Sequence, residues 1–410
     1  MTKTRTIPLP SKGIWPGLAA APRRPLRAAV AERLFRHAVR TIPVRVEFPD
    51  ERVLGAGGPD APLLRLHRPA HFFHRLGADA KIGFGEAYMV GDWSSPDVAD
   101  VLTPFAARMA TLVPRPLQAL RRIAERTQPS VEDNDLAGAR ENIHRHYDLS
   151  NDLFDIFLDE TMTYSSAWFA GPEQDLVDAQ LRKIDGVLDF AGVGPGTHML
   201  EIGTGWGALA IRAALRGAHV TTLTLSAEQK ALAELRIQAA GVADRVRVLL
   251  RDYREEHGSY DAVVSVEMIE AVGKGYWPTY FATLDRLVRP GGRIGLQAIT
   301  MPHDRMLASA NAYTWMHKYV FPGGLIPSVE AIEDAVAQHT GLRVVRDRAF
   351  GQDYALTLRT WRRRFLERWQ EVAALGFDET FRRMWEFYLA YSEAGFRAGY
   401  LDVHQFCLAK

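Results

Sequence analysis

A single cysteine in 410 residues, a net charge of only +1 from 50 lysines and arginines against 49 acids, and no apolar run near the ~20 residues of a spanning helix set the first limits. One thiol cannot build a disulfide framework, nor the multi-thiolate ligand sets of structural zinc and iron–sulfur centres, so a reducing compartment and no metal site are expected. The near-zero charge argues against a dedicated nucleic-acid binder. Met1 to Gly13 lacks the apolar core of a secretory signal. A cytoplasmic protein with no transmembrane anchor is expected. What is present is ample: 47% hydrophobic residues, and length enough for two or three domains.

The balanced total hides a local patch. Between Pro22 and Arg40, the arginines Arg23, Arg24, Arg27, Arg33, Arg36 and Arg40 stand against one acid, Glu32. Leu26, Val30, Leu34 and Ala38 recur at helical spacing, which predicts a basic amphipathic helix. Such a helix either lies on an anionic membrane surface or packs on its own domain with a solvated arginine face.

From Val44 to about Pro104, short β-rich and turn-rich pieces (VRVEF, PLLRLHRP, and IGFGEAYMVGDW over Ile82 to Trp93) predict a small α+β module. Leu102 to about Asp135 reads as helix and then linker, with Pro114, Pro116 and the polar TQPSVEDND. This places a boundary there: an N-terminal α+β domain over 1–135 and a second domain over 136–410. In HRHYD, His144 and His146 alternate without carboxylate or thiolate partners, so a first-turn hydrogen-bonding role is expected rather than a metal pair.

After the boundary, strands alternate with helices in the manner of a doubly wound α/β sheet. Strands are predicted at Thr197–Gly203, His219–Leu225, Val246–Leu250, Asp261–Val266 and Gly292–Ala298, and helices at Trp206–Leu215, Ala227–Ala240 and Trp277–Val288. LEIGTGWG (Leu200 to Gly207) falls on a strand-to-helix junction, where Gly203 and Gly205 permit positive φ and let backbone N–H groups approach a ligand. A dinucleotide site wants G-x-G-x-x-G and an acid closing the second strand. Gly207 is out of register with that fingerprint, and the second strand closes on Thr224-Leu225-Ser226. With RDY (Arg251 to Tyr253) after the third strand, Asp261 opening the fourth and RPGG before the fifth, the pattern is that of a class I S-adenosylmethionine (SAM) methyltransferase.

At these motifs the sequence resembles the cyclopropane-fatty-acid synthase family, SAM-dependent enzymes that transfer a methyl group to the double bond of an acyl chain. The similar stretches are HYDLSNDLFDIFLDETMTYSSAWF (His146 to Phe169), LEIGTGWG, TLTLSAEQ, DYRE, VSVEMIEAVG (Val264 to Gly273), YVFPGGLIPS, DYALTLRTWRRRF (Asp353 to Phe365) and RMWEFYL; the N-terminal part is matched mainly through GEAYMVGDW. The resemblance implies a Rossmann-like seven-stranded sheet with an added N-terminal domain. It implies a SAM site at Tyr164, Ser165, Gly203, Gly205, Thr224, Leu225 and Gln229, with Asp252 and Tyr253 near the adenine.

An alkene is a poor nucleophile, so methyl transfer to it needs a dry pocket that aligns both partners, a means of stabilising the resulting carbocation, and a base to remove a proton. In the family that base is understood to be a bound bicarbonate held by a cysteine, a glutamate, a histidine, a backbone position at an isoleucine and a tyrosine. By resemblance the glutamate is Glu270, the isoleucine Ile299 and the tyrosine Tyr354. The cysteine is replaced by Ser166 and the histidine by Gln297. Either an altered bicarbonate site persists or Glu270 acts more directly. The aromatic stretch Asn311 to Gly324 offers Tyr313, Trp315, Tyr319 and Phe321 as tunnel lining or as core. The RTWRRRF run is either a lipid-phosphate contact or a solvated helix face.

LQAITMPHDRM (Leu296 to Met306) and the SSAW variant resemble the methyltransferases of 10-methylstearate (tuberculostearate) synthesis, which work with a separate reductase. The expected activity is therefore SAM-dependent methylation of an unsaturated phospholipid acyl chain, giving a 10-methylene product. A cyclopropane-forming enzyme is the main alternative. A methyltransferase of diffusible small molecules and a non-catalytic lipid-binding subunit are the others. With a lipid substrate, the arginine-rich helix is expected to make peripheral membrane contact. Head group, double-bond position, reductase binding and assembly into a homo-oligomer are left open by the sequence.

Overall fold

The computed structural model describes residues 15, 17–109, 150–171 and 173–410. The His144/His146 pair, the polar tract before Leu136 and the boundary at 135 lie outside the described residues.

Strand β5 (His198–Ile202), β6 (His219–Thr224), β7 (Val246–Leu250), β8 (Tyr260–Val266), β9 (Val288–Thr300), β10 (Arg343–Ala349) and β11 (Asp402–Ala409) form one sheet in the order β10-β11-β9-β8-β5-β6-β7. The pairings from β9 through β7 are parallel, while β11 runs antiparallel to both β9 and β10. Parallel strands covered by helices on both faces lose water on both sides, and four of the five residues of β5 are buried accordingly. The strands and helices expected between Thr197 and Ala298 are all present, with ends shifted by a few residues. The covering helices start on side-chain caps. Asp175 accepts from Val177 N before Leu176–Ala191, and Ser226 accepts from Gln229 N before Ala227–Ala239. The lone cysteine, Cys407, sits on β11 with its thiol on Phe190 O, a packing role.

A second, four-stranded sheet has the order β2-β1-β3-β4, from β1 (Arg45–Glu47), β2 (Val53–Leu54), β3 (Leu63–Leu66) and β4 (Trp93–Ser94). The compact unit to which it belongs is not one stretch of chain. It takes in Ala312–Val320 and Phe365–Tyr400, while the seven-stranded unit keeps Phe321–Arg364 and Leu401–Lys410. The two units therefore interleave along the chain. The physical reason is packing: Trp315 and Phe387 meet ring to ring at 4.8 Å inside the first unit, and Trp315 Nε1 lies 3.4 Å from Met89 Sδ.

One local expectation is corrected. IGFGEAYMVG is helical, over Ala80–Met89, and not a strand-and-turn piece. Asp79 caps it by accepting from Lys81 N and Ile82 N; the helical Gly83 and Gly85 serve close approach, while Gly91, at φ +74°, makes the turn that follows. A Cβ on Gly85 would stand 2.6 Å from Trp315 Cδ1 and 2.9 Å from Phe387 Cε1.

The Arg-rich segment is the helix Pro25–Val39. Its buried side is Ala28, Phe35 and Val39, with Phe35 edge-on to Phe72 and Phe73. The stripe that the periodicity singles out faces the opposite way: Leu26, Val30 and Leu34 are 85%, 59% and 37% exposed.

Helix propensity favours Val over Gly at position 85 by only a few tenths of a kcal/mol, whereas forcing carbons into packed rings costs about 1–3 kcal/mol. Gly85→Val is expected to lose stability by that larger amount, read as a lower urea midpoint.

Candidate active site

The candidate residues come from separate parts of the chain to the carboxyl ends of the central strands, where β5 parts β6 from β8 and open α/β sheets bind ligands. Gly203 follows β5, Thr224 ends β6 and Leu225 follows it, Asp252 follows β7, Glu267 and Glu270 follow β8, and Gln297 and Ile299 lie near the end of β9.

The glycine turn has the geometry its sequence requires. Gly203, Gly205 and Gly207 have φ of +98°, +52° and +91°. A Cβ on Gly203 would meet Met268 at 2.9 Å, and one on Gly205 would meet nothing within 4 Å. Thr224 Oγ1 donates to Gln229 Oε1 at 2.9 Å, which fixes the amide beside the end of β6. A backbone cradle that side chains would fill, next to a fixed amide, fits the adenosyl ligand expected here. Asp252 and Tyr253 are more committed to the protein than the sequence suggests. Asp252 is nearly fully buried and takes a two-pronged bond from Arg254 at 2.9 and 2.7 Å, and Tyr253 packs edge-on to Tyr280 in the core. Ser165 accepts from Lys183 Nζ at 2.6 Å, and Tyr164 stacks against Phe154 and Trp361.

The groups aligned with the bicarbonate site converge, but on a side chain. Ser166 N and Gln297 Nε2 donate to Glu267 Oε1 at 2.9 and 2.8 Å, and Tyr354 OH donates to Glu267 Oε2 at 2.7 Å. Ser166 takes part through its backbone; its hydroxyl donates instead to Ala167 O. Gln297 is held in place in turn, its Oε1 accepting from Gln405 Nε2 at 3.0 Å. Glu270 sits apart from this cluster, accepting from Ile299 N, and its other oxygen, Oε2, has no partner among the described residues. Three donors expected for a free anion are thus engaged by the chain's own carboxylate, and this donor set does not fit a bound bicarbonate.

Burial and mutual charge set the ionisation of this pair. Glu267 is raised by burial against the opposing pull of Ser166 N, Lys183, Tyr354 and Gln297. Glu270 has a single donor, and burial with the charge of Glu267 pushes it up to about 8. Two nearby carboxylates with unequal donor sets titrate as a unit, with the anion on the better-solvated member, Glu267. Behind them, burial brings Lys183 down to about 8 and Glu201 up to about 8. Both Glu267 and Glu270 keep part of their surface accessible.

Sequence reasoning missed Glu267, Lys183 and Gln405. For Glu267 a signal existed: VSVEMIEAVG places two acids three residues apart directly after a strand. Of the aromatic stretch, Trp315 is core, and Tyr319 donates to Glu86 in the first unit at 2.9 Å. In RTWRRRF, Trp361 and Arg362 are buried and Arg364 donates to Leu158 O, so the run is not a uniformly solvated face. Among the described residues no cluster of His, Cys, Asp or Glu could hold a metal ion.

Sheet order, glycine turn and site position together define the class I SAM-dependent methyltransferase fold. Residues 134–406 match the family model of mycolic acid cyclopropane synthetase, and the chain belongs to that family. It is 55% identical to tuberculostearic acid methyltransferase UfaA1 of Mycobacterium tuberculosis over 97% of this chain and 95% of that one. It is 34% identical to cyclopropane-fatty-acyl-phospholipid synthase of Escherichia coli over 83% of this chain and 86% of that one. The solved structure of cyclopropane synthase MmaA2 from Mycobacterium tuberculosis aligns with a TM-score of 0.63 and 34% identity, covering 68% of this chain and all of that one.

Folded Glu270 holds its proton to about 8, whereas the unfolded group releases it in the ordinary carboxylate range, so stability falls as pH rises through that window. Glu270→Gln removes this loss. Its thermal midpoint is expected to exceed the parent's at pH 8.5, with the difference shrinking toward pH 5.

Proposed function

We propose that this protein is a SAM-dependent methyltransferase acting on the cis double bond of an unsaturated phospholipid acyl chain, with a 10-methylene acyl product that a separate reductase converts to 10-methylstearate. The observation that carries the proposal is the buried, donor-held carboxylate pair beside the glycine turn, within a chain 55% identical to a tuberculostearic acid methyltransferase.

Gly203, Gly205, Thr224, Leu225 and Gln229 would hold SAM, with Tyr164 and Ser165 on one side and Asp252 and Tyr253 toward its adenine. When bound, SAM supplies an electrophilic methyl group: its S–CH3 bond breaks as a C–C bond forms at one alkene carbon, leaving positive charge on the acyl chain. The chain's own residues then have two tasks. An anionic group near the cation stabilises it, and a base takes up one proton. Removal of that proton from the new methyl group after a hydride shift leaves an exocyclic methylene. Ring closure with loss of the same proton leaves a cyclopropane. Replacement of the family's histidine by Gln297, an amide that cannot carry charge, supports the methylene outcome.

Purified protein incubated with SAM and dioleoyl phospholipid is expected to yield a methyl ester 14 Da heavier than oleate, with vinylidene protons in its NMR spectrum. The isomeric cyclopropane as main product would refute the product assignment.

Contact with the bilayer is part of the same proposal. No helix among the described residues is long and apolar enough to cross a membrane. The exposed stripe Leu26, Val30 and Leu34, bordered by Arg27 and Arg33, suits insertion among anionic head groups, as on the cytoplasmic leaflet. Val30→Glu is expected to cut several-fold the fraction of protein that sediments with phosphatidylglycerol vesicles. Its thermal midpoint should not change, because Val30 packs on little.

A further inference from the structure

We infer that Glu267 is the base of the reaction: its side-chain carboxylate occupies the place of an exchangeable anion and accepts the proton lost from the methylated acyl chain. This inference rests on the acyl-methyltransferase proposal above and adds the identity of the proton acceptor.

Three independent observations carry it. First, the donors around Glu267 come from four parts of the fold: Ser166 N from the segment before the Leu176–Ala191 helix, Gln297 from β9, Tyr354 from the Gly351–Glu367 helix, and Gln405 on β11 acting through Gln297. Second, Glu267 has φ +52°, a left-handed conformation that glycine adopts freely and a glutamate adopts at a cost. A position whose backbone suits glycine thus carries a long acidic side chain, and its N–H is tied to Gln297 O at 2.8 Å. Third, the turn from Glu267 to Glu270 touches the glycine loop through Met268, which a Cβ on Gly203 would strike at 2.9 Å. The turn that carries Glu267 therefore borders the cradle from which the methyl group would be delivered.

The hydrogen-bond count leaves room for a proton. A carboxylate offers about four lone-pair sites on two oxygens. Oε1 receives two donors and Oε2 receives one, so Oε2 retains an open site. In the step, a hydride first moves from the methyl-bearing carbon to its cationic neighbour; a C–H bond of the transferred methyl group then breaks, its electron pair becomes the new C=C π bond and neutralises the cation, and the proton bonds to Glu267 Oε2. It passes to water after product leaves, and no external oxidant or reductant takes part. Glu270, kept neutral by its neighbour, is a positioning residue that anchors the turn on Ile299 N.

The test compares parent, Glu267→Gln and Glu267→Gly with SAM and dioleoyl phospholipid in buffers freed of carbon dioxide. Parent turnover is expected to be indifferent to added bicarbonate. Glu267→Gln should lose about 10²–10⁴-fold in kcat while binding S-adenosylhomocysteine within threefold of the parent by calorimetry. Glu267→Gly relieves the backbone, so it should melt no lower than the parent, and its lost activity should return saturably with added bicarbonate or formate. Turnover of Glu267→Gln within threefold of the parent, dependence of the parent on bicarbonate, or no anion rescue of a folded Glu267→Gly would each overturn the inference. A parent that methylates no acyl chain would instead refute the functional proposal on which it rests.

Discussion

The carboxylate of Glu267 organises the site around it. An ion of that size loses several kcal/mol of solvation on burial unless the protein replaces the water. Here the replacement is a backbone N–H, an amide and a phenol, from positions 30 to 101 residues away from Glu267 in sequence. Each donor must be in register for the others to be useful, so β8, β9, β11 and the Gly351–Glu367 helix are fixed relative to one another at this point. The left-handed backbone at Glu267 is a local cost that this arrangement offsets.

The same constraint explains the neighbours. Gln297 can face Glu267 only because Gln405 takes its carbonyl oxygen, and Gln405 also donates to Lys183 O at 3.0 Å. Lys183, fully buried on the Leu176–Ala191 helix, reaches Ser165, next to the residue whose N–H holds Glu267. Ser165, Lys183, Gln405, Gln297 and Glu267 are thereby parts of one polar network, in which a change at one end shifts the charge balance at the other. Glu270, with a single donor, is left as the member of the pair that keeps its proton.

Much of this was legible in the residues. The glycine turn could be placed because Gly203 and Gly205 sit where a strand stops and a helix starts. Glu270, Ile299, Tyr354, Ser166 and Gln297 could be singled out by resemblance; three of them, Ser166, Gln297 and Tyr354, gather on Glu267, and the other two pair with each other. Their target could not be read. Nothing in the spacing distinguishes donors waiting for a free anion from donors already engaged by Glu267, because the answer depends on the rotamer and backbone of one residue. Ser166 shows the same limit: its type suggested a hydroxyl contact, and its backbone makes the contact instead. The role of Gly85 could not be read locally because the rings it approaches, Trp315 and Phe387, lie hundreds of residues away in the chain.

By itself the sequence determined the alternation of buried strands and covering helices and the position of the glycine turn, since each follows from residue type and short-range spacing. Only the tertiary structure decided which face of the arginine-rich helix is buried, that the two compact units interleave along the chain, and that Ser166 N, Gln297 and Tyr354 donate to Glu267. These depend on long-range packing and on the cost of burying charge, which act between residues that sequence proximity does not connect.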